Sequence, residues 1–186
     1  QIVAERYRVV SRVNVESGEA DIYVCTDPDN TQYCLKIYHR REQISQEVHA
    51  RLQYVKAPHI ANLVAWGDFD GKLYEIWPLY SKGSLAGQRF DEQSIKPYIA
   101  QMNEAIHAIH NCGLVHQDIK PANFMLDTNG EVALIDFGIS SVCGEGGRTH
   151  VTQIGRTNDY ASPEVLFSKF CWPISDYYSL GITIYE

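Results

Sequence analysis

Two segments, His116-Gln117-Asp118-Ile119-Lys120-Pro121-Ala122-Asn123 and Asp136-Phe137-Gly138, place two carboxylates, a lysine and an amide in a fixed order within residues 116–138. The lysine follows Asp118 by two residues, the asparagine by five, and the second carboxylate comes thirteen residues after that. Phosphoryl transfer requires such a set. One carboxylate orients the attacking hydroxyl and accepts its proton. A lysine offsets charge developing on the transferred group. An amide and a second carboxylate hold the metal ions that bridge the phosphates. Any one of these residues could belong to an ordinary polar turn, but the four together, in order and at this spacing, rarely arise by chance.

The elements around them follow from composition and periodicity. Tyr7 to Val13 and Ala20 to Cys25 are rich in β-branched and aromatic residues and read as strands. Asp27-Pro28-Asp29-Asn30 is a turn signal, so Tyr33 to Tyr38 closes a hairpin. Arg40 to Val55 has helix-forming composition and Pro58 ends it. Leu63 to Trp66 and Leu73 to Trp77 read as two further strands, with the turn Asp70-Gly71 between them. Beyond Gly83-Ser84-Leu85 the character changes. Asp91 is placed to cap a helix whose Ile95, Ile99, Met102, Ile106, Ile109 and His110 recur at three- and four-residue spacing, up to Asn111-Cys112-Gly113. Phe124 to Leu126 and Val132 to Ile135 are short strands around Thr128-Asn129-Gly130. Residues 140–160 read as a long glycine- and polar-rich loop, and Ser175-Asp176 opens a last helix.

The 116–138 stretch closely resembles the catalytic and metal-binding loops of eukaryotic-type (Hanks-type) protein serine/threonine kinases, and the likeness extends from Tyr7 to Glu186. It implies the two-lobed α+β protein-kinase fold, with a β-rich N-lobe over residues 1–80, an incomplete, mainly helical C-lobe over 81–186, and ATP between them. By this resemblance Asp118 is the catalytic base, Lys120 stabilises the γ-phosphoryl, and Asn123 and Asp136 hold Mg²⁺ or Mn²⁺. Lys36 binds the α- and β-phosphates, with Glu47 as its partner on the following helix and Glu42 as the alternative. Arg51 stands four residues after Glu47, where kinases place an apolar core residue, which suggests a locally shifted helix. Ile76-Trp77-Pro78-Leu79-Tyr80 resembles the hinge, with Trp77 at the gatekeeper position, and Ile22, Cys34 and Met125 would enclose the adenine. Gly155 to Glu164 is similar to the segment that receives the peptide. Thr157 and the Lys120-Pro121 pair argue for Ser/Thr over Tyr, and Asp176 matches the aspartate that anchors the catalytic loop.

Two departures stand out. The family's phosphate-covering loop carries glycines where this chain has Val15, Ser17 and Ala20. Gly18 is one residue off register, and Glu16 and Glu19 bring negative charge towards an anionic ligand. Gln117 also replaces the arginine that reads an activation-loop phosphate, which implies activity independent of that pairing. The alternative function is a pseudokinase or scaffold that keeps the fold without efficient turnover. A kinase of small molecules is a further rival, disfavoured by the glycine of D-F-G and by Ser162-Pro163-Glu164.

Bulk properties narrow the classes. The chain has 186 residues, 45% of them hydrophobic, enough for a sizeable core. A net charge of −7 argues against nucleic-acid binding, which needs a basic face. Five cysteines with no C-x-x-C pair fit a reduced, cytoplasmic protein. No apolar run reaches bilayer length, so no membrane contact is expected in this segment. The expected partner is a protein substrate. The apolar end from Gly181 to Glu186 calls for cover by a further C-terminal region or a partner chain.

Overall fold

β-branched and aromatic residues dominate the first eighty residues, and they build one antiparallel sheet. The structure, a computed structural model, describes residues 1–14, 19–39, 45–151, 157–168 and 170–186. Strands β1 (Ile2–Val3), β2 (Tyr7–Arg12), β3 (Ala20–Thr26), β4 (Gln32–Tyr38), β5 (Ala65–Phe69) and β6 (Lys72–Pro78) lie in the order β1-β2-β3-β4-β6-β5. The β3–β4 turn closes on Asp27, whose Oδ1 accepts from the backbone N–H groups of Asp29 (3.0 Å) and Thr31 (2.9 Å).

Alternation divides the sheet into two faces. Leu35, Tyr74 and Ile76 pack with Val3, Tyr7 and Cys25 on one face. Cys34 and Trp77 face the main core on the other. Register sets Ile22, Lys36, Glu75 and Trp66 opposite one another in a row across β3, β4, β6 and β5.

Helix α1 (Gln46–Leu52) covers part of that second face and buries Val48, His49 and Leu52. Ser45 caps it, its hydroxyl accepting from the Glu47 N–H at 3.2 Å. The helix is shorter than the 40–55 span expected from composition. Residues 40–44 lie outside the described residues, and Gln53 to Val55 leave the helix as turn and coil. The strand expected at Leu63 to Trp66 begins later, at Ala65. Further back, the chain is bonded elsewhere: the Ala61 N–H donates to Leu134 O and the Leu134 N–H to His59 O, while the Val64 N–H already reaches Ile76 O of β6.

The remainder is helix-rich. Helix α2 (Lys96–Asn111) buries Met102, Ala105, Ile106 and Ile109, the face expected from their spacing. Asp91 caps a turn ahead of the helix, accepting from Gln93 and Ser94 N–H groups, and Pro97 sits within its first turn. Gly113, at φ +70°, ends the helix in the left-handed conformation. After β7 (Leu114–Val115) come a 3₁₀ turn at Pro121–Asn123 and the hairpin β8 (Phe124–Leu126) and β9 (Val132–Leu134).

The loop expected over 140–160 contains two short strands, β10 (Ser141–Val142), paired with β7, and β11 (Thr149–His150), paired with β12 (Phe170–Cys171). Helix α3 (Pro163–Phe167) was not foreseen; Pro163 at its first position pre-sets the turn. Helix α4 (Pro173–Tyr185) starts two residues before the expected Ser175 and buries Asp176, Leu180 and Thr183. One core joins α1, α2, α4 and the β8–β9 hairpin to Trp77 and Phe137.

Candidate active site

The 116–123 loop owes its shape to a buried carboxylate in α4. Asp176 accepts from the His116 N–H at Oδ2 (2.9 Å) and the Gln117 N–H at Oδ1 (2.9 Å), and His110 Nε2 lies 2.8 Å from Oδ2. Gln117 adopts φ +69°, a strained value for a residue with a side chain, and the two Asp176 bonds hold it there. His116 bridges the two catalytic segments. Its Nε2 lies 3.0 Å from Ile135 O and its ring meets Phe137 edge-on at 5.0 Å.

Those contacts aim Asp118 into the cleft with its groups occupied. Asn123 Nδ2 donates to Asp118 O (2.7 Å) and Oδ2 (3.0 Å). Lys120 Nζ lies 2.7 Å from Asp118 Oδ2 and donates to Thr157 Oγ1 at 2.7 Å, while the Thr157 N–H reaches Asp118 Oδ1 at 3.3 Å. Thr157 thus meets both the aspartate and the lysine.

Across the cleft, Lys36 Nζ donates to Asp136 Oδ1 at 2.6 Å. Burial works against the Lys36 ammonium, but the charges of Asp136 and Glu75 outweigh it and hold its pKa above the ordinary lysine value. Burial alone would raise the Asp136 carboxyl; the Lys36 ammonium holds it below the usual carboxylate range. Asp136 has φ +63°, and Phe137 behind it is stacked on Trp77 at 5.9 Å.

These residues line one cleft of about 700 Å³. Of the residues singled out in the sequence, Ile22, Cys34, Lys36, Trp77, Pro78, Tyr80, Asp118, Lys120, Asn123, Met125 and Asp136 all contribute to its wall. Ser17 and Gly18, like the alternative Glu42, lie outside the described residues.

Glu47 is a correction. Its carboxylate pairs with Arg51 at 3.0 Å on the exposed side of α1 and not with Lys36. The reason is helix register. Val48 and Leu52 occupy the inward face, which places Glu47 on the solvent side. Arg51 is correspondingly displaced outward and donates from Nη1 to Cys112 O at 2.7 Å.

Sequence reasoning weighed Glu19 only as an unfavourable charge and did not single out Glu75. Glu19 lines the cleft, and a methyl placed on Gly138 would lie 3.1 Å from its Oε2 and 3.2 Å from Asp136 Oδ1. The lack of a side chain at Gly138 therefore lets both carboxylates approach that point. Burial leads in raising the Glu19 carboxyl, with Lys36 opposing. Glu75 had a signal: it is an acid in the middle of the apolar run Leu73 to Trp77.

The donor set fits a hard divalent cation. Asn123 gives its amide nitrogen to Asp118, leaving its oxygen as the ligand atom, and Asp136 supplies a carboxylate to the same cleft. Among the described residues no cluster of three or more acidic, His or Cys side chains is assembled.

Comparison with known proteins agrees with the geometry. The sequence model of the protein kinase domain matches residues 17–186. The chain is similar to a probable cAMP-dependent protein kinase catalytic subunit of Encephalitozoon cuniculi, 33% identical over 150 residues, which is 78% of this chain and 45% of that protein. It is similar to the serine/threonine-protein kinase sck2 of Schizosaccharomyces pombe, 41% identical over 99 residues, covering 53% of this chain and 15% of that protein. It also resembles the hormonally up-regulated neu tumor-associated kinase of Mus musculus, 33% identical over 140 residues, covering 72% of this chain and 20% of that protein. The chain spans less than half the length of each of these relatives.

Proposed function

The chain belongs to the protein kinase domain family, of the eukaryotic (Hanks) type, and from that premise we propose that it is a serine/threonine kinase moving the γ-phosphoryl of ATP to a Ser or Thr hydroxyl of a protein. The observation that carries this reading is the convergence of Asp118, Lys120 and Asn123, with Thr157 bonded behind them, in one cleft that also holds the Lys36–Asp136 pair.

Asp118 accepts the proton of the substrate hydroxyl and orients its oxygen for attack. Lys120 already spans Asp118 and Thr157, so its charge stands where the transferred group passes. Lys36 turns its ammonium to the α- and β-phosphates. Ile22, Cys34 and Met125 supply an apolar slot for the adenine, and Pro78 offers a carbonyl but no N–H. Mg²⁺ or Mn²⁺, held by Asp136 and Asn123, would offset charge on the phosphates. In this reading residues 1–80 form the N-lobe and 81–186 the C-lobe.

All five cysteines are unbridged, which supports a reducing, cytoplasmic location. No helix among the described residues is long and apolar enough to cross a membrane. A protein that keeps the fold without turnover is the second reading, and the absence of Glu47 from the Lys36 site favours it.

The test is phosphate transfer from γ-labelled ATP with Mg²⁺, to the full-length protein itself and to a generic basic protein. Label on Ser and Thr is expected. Nucleotide that stays unreacted, or fails to bind, would overturn the kinase reading and select the second.

A further inference from the structure

Lys36 has a second carboxylate near it besides Asp136, and this one is buried. Glu75 stands directly opposite Lys36 in the β4–β6 register, on the same face of the sheet, and is only 2% exposed. A carboxylate so deeply buried must have its lone pairs filled. Glu75 accepts from the Tyr38 hydroxyl (2.9 Å) and the Trp77 Nε1–H (2.9 Å) at Oε2, and His49 Nε2 lies 2.7 Å from Oε1. Lys36 Nζ lies over the ring of Tyr38, 4.9 Å from its centroid. The ring is therefore held from two ends, by the ammonium on its face and by Glu75 at its hydroxyl. His49 is fully buried in α1 and stacked at 4.5 Å on Trp66, the residue next to Glu75 on β5.

Resting on the kinase reading of the cleft, we propose that Glu75, acting across Tyr38, is the positioning carboxylate that backs Lys36 in this chain in place of a helix glutamate, and that His49 ties it to α1. Asp136 cannot serve alone, because phosphoryl transfer requires that carboxylate for the metal ion. Glu75 stays behind Lys36 while Asp136 is engaged. The Glu75 charge acts on the Lys36 ammonium, while the basic side chain in direct contact with Glu75 is that of His49. Trp77 joins the same carboxylate to the hinge end of β6 and to Phe137. A shift of α1 is thereby felt at Lys36 through His49 and Glu75.

Two measurements on the full-length protein test this. The first needs no nucleotide: a double-mutant cycle of Glu75→Gln and Lys36→Met read by melting temperature. The loss from Glu75→Gln is expected to shrink when Lys36 is already Met; additive losses would overturn the proposal. The second is a steady-state comparison. Glu75→Gln is expected to raise the KM for ATP on the order of tenfold while the KM for the protein substrate stays unchanged. An unchanged KM for ATP in a folded variant overturns the positioning role, even if the cycle shows coupling. If Glu75→Gln does not fold, Tyr38→Phe takes its place in both measurements. It keeps the ring and removes only the hydroxyl that Glu75 holds, and the same outcomes decide. A wild-type protein that binds no nucleotide would sink the kinase reading alone, since the melting cycle still decides whether Glu75 backs Lys36.

Discussion

Asp118 is restrained at both carboxylate oxygens, by Lys120 and Asn123 on one and the Thr157 N–H on the other. A base held this way accepts the proton of the attacking hydroxyl in one orientation, and loosening it should reduce the rate more than the binding. Thr157→Val removes the hydroxyl that Lys120 uses and keeps the shape. We expect kcat to fall on the order of tenfold, with ATP affinity held, in single-turnover and binding assays. Glu47 predicts the opposite. Its pair with Arg51 is an exposed, neighbouring-turn contact. Glu47→Gln should therefore change stability by less than about 0.5 kcal/mol in a urea titration and leave ATP affinity unchanged. A large loss of affinity would return Glu47 to the Lys36 site.

Helix α1 shows which parts of the site could be read in the sequence and which could not. The catalytic loop was legible because its groups lie within a few residues of one another, although the bonds that shape it come from Asp176 in α4. The partner of Lys36 was not, because it depends on how α1 is rotated against the sheet. That rotation is set by which side chains pack inward, here Val48, His49 and Leu52. Two clues were present: Val48, Leu52 and Val55 mark an apolar stripe one position away from Glu47, and Arg51 breaks the stripe expected from Glu47. The structure gives Arg51 a task, since it donates to the Cys112 carbonyl at the end of α2. Arg51→Met, which keeps the apolar stem, should lower stability by about 1–2 kcal/mol by equilibrium unfolding. Gly113→Ala should be at least as damaging. Its φ is +70°, and the added methyl would lie 2.4 Å from Arg51 Nη1.

At the scale of the whole molecule, the core that unites α1, α2, α4 and the β8–β9 hairpin also includes Trp77 and Phe137, which stand beside the cleft. Order of elements was legible because strand and helix periodicities differ. The short strands β7, β10, β11 and β12 were not, because two-residue pairings leave no period and form only once the chain has folded back on itself. Since both walls of the cleft are tied into that core, a ligand in it should stabilise the entire fold. At a hundred times its Kd, Mg-ADP should add about 2.7 kcal/mol and raise the melting temperature by several degrees. Lys36→Met should lose most of that gain. Phosphoryl transfer with Asp118 as the proposed base can be measured as label transferred from γ-labelled ATP by the full-length protein and by its Asp118→Asn variant, with nucleotide affinity measured on the same samples. Transfer is expected to fall by roughly a thousandfold in the variant while nucleotide affinity is retained. Equal transfer by the two proteins would contradict that role for Asp118.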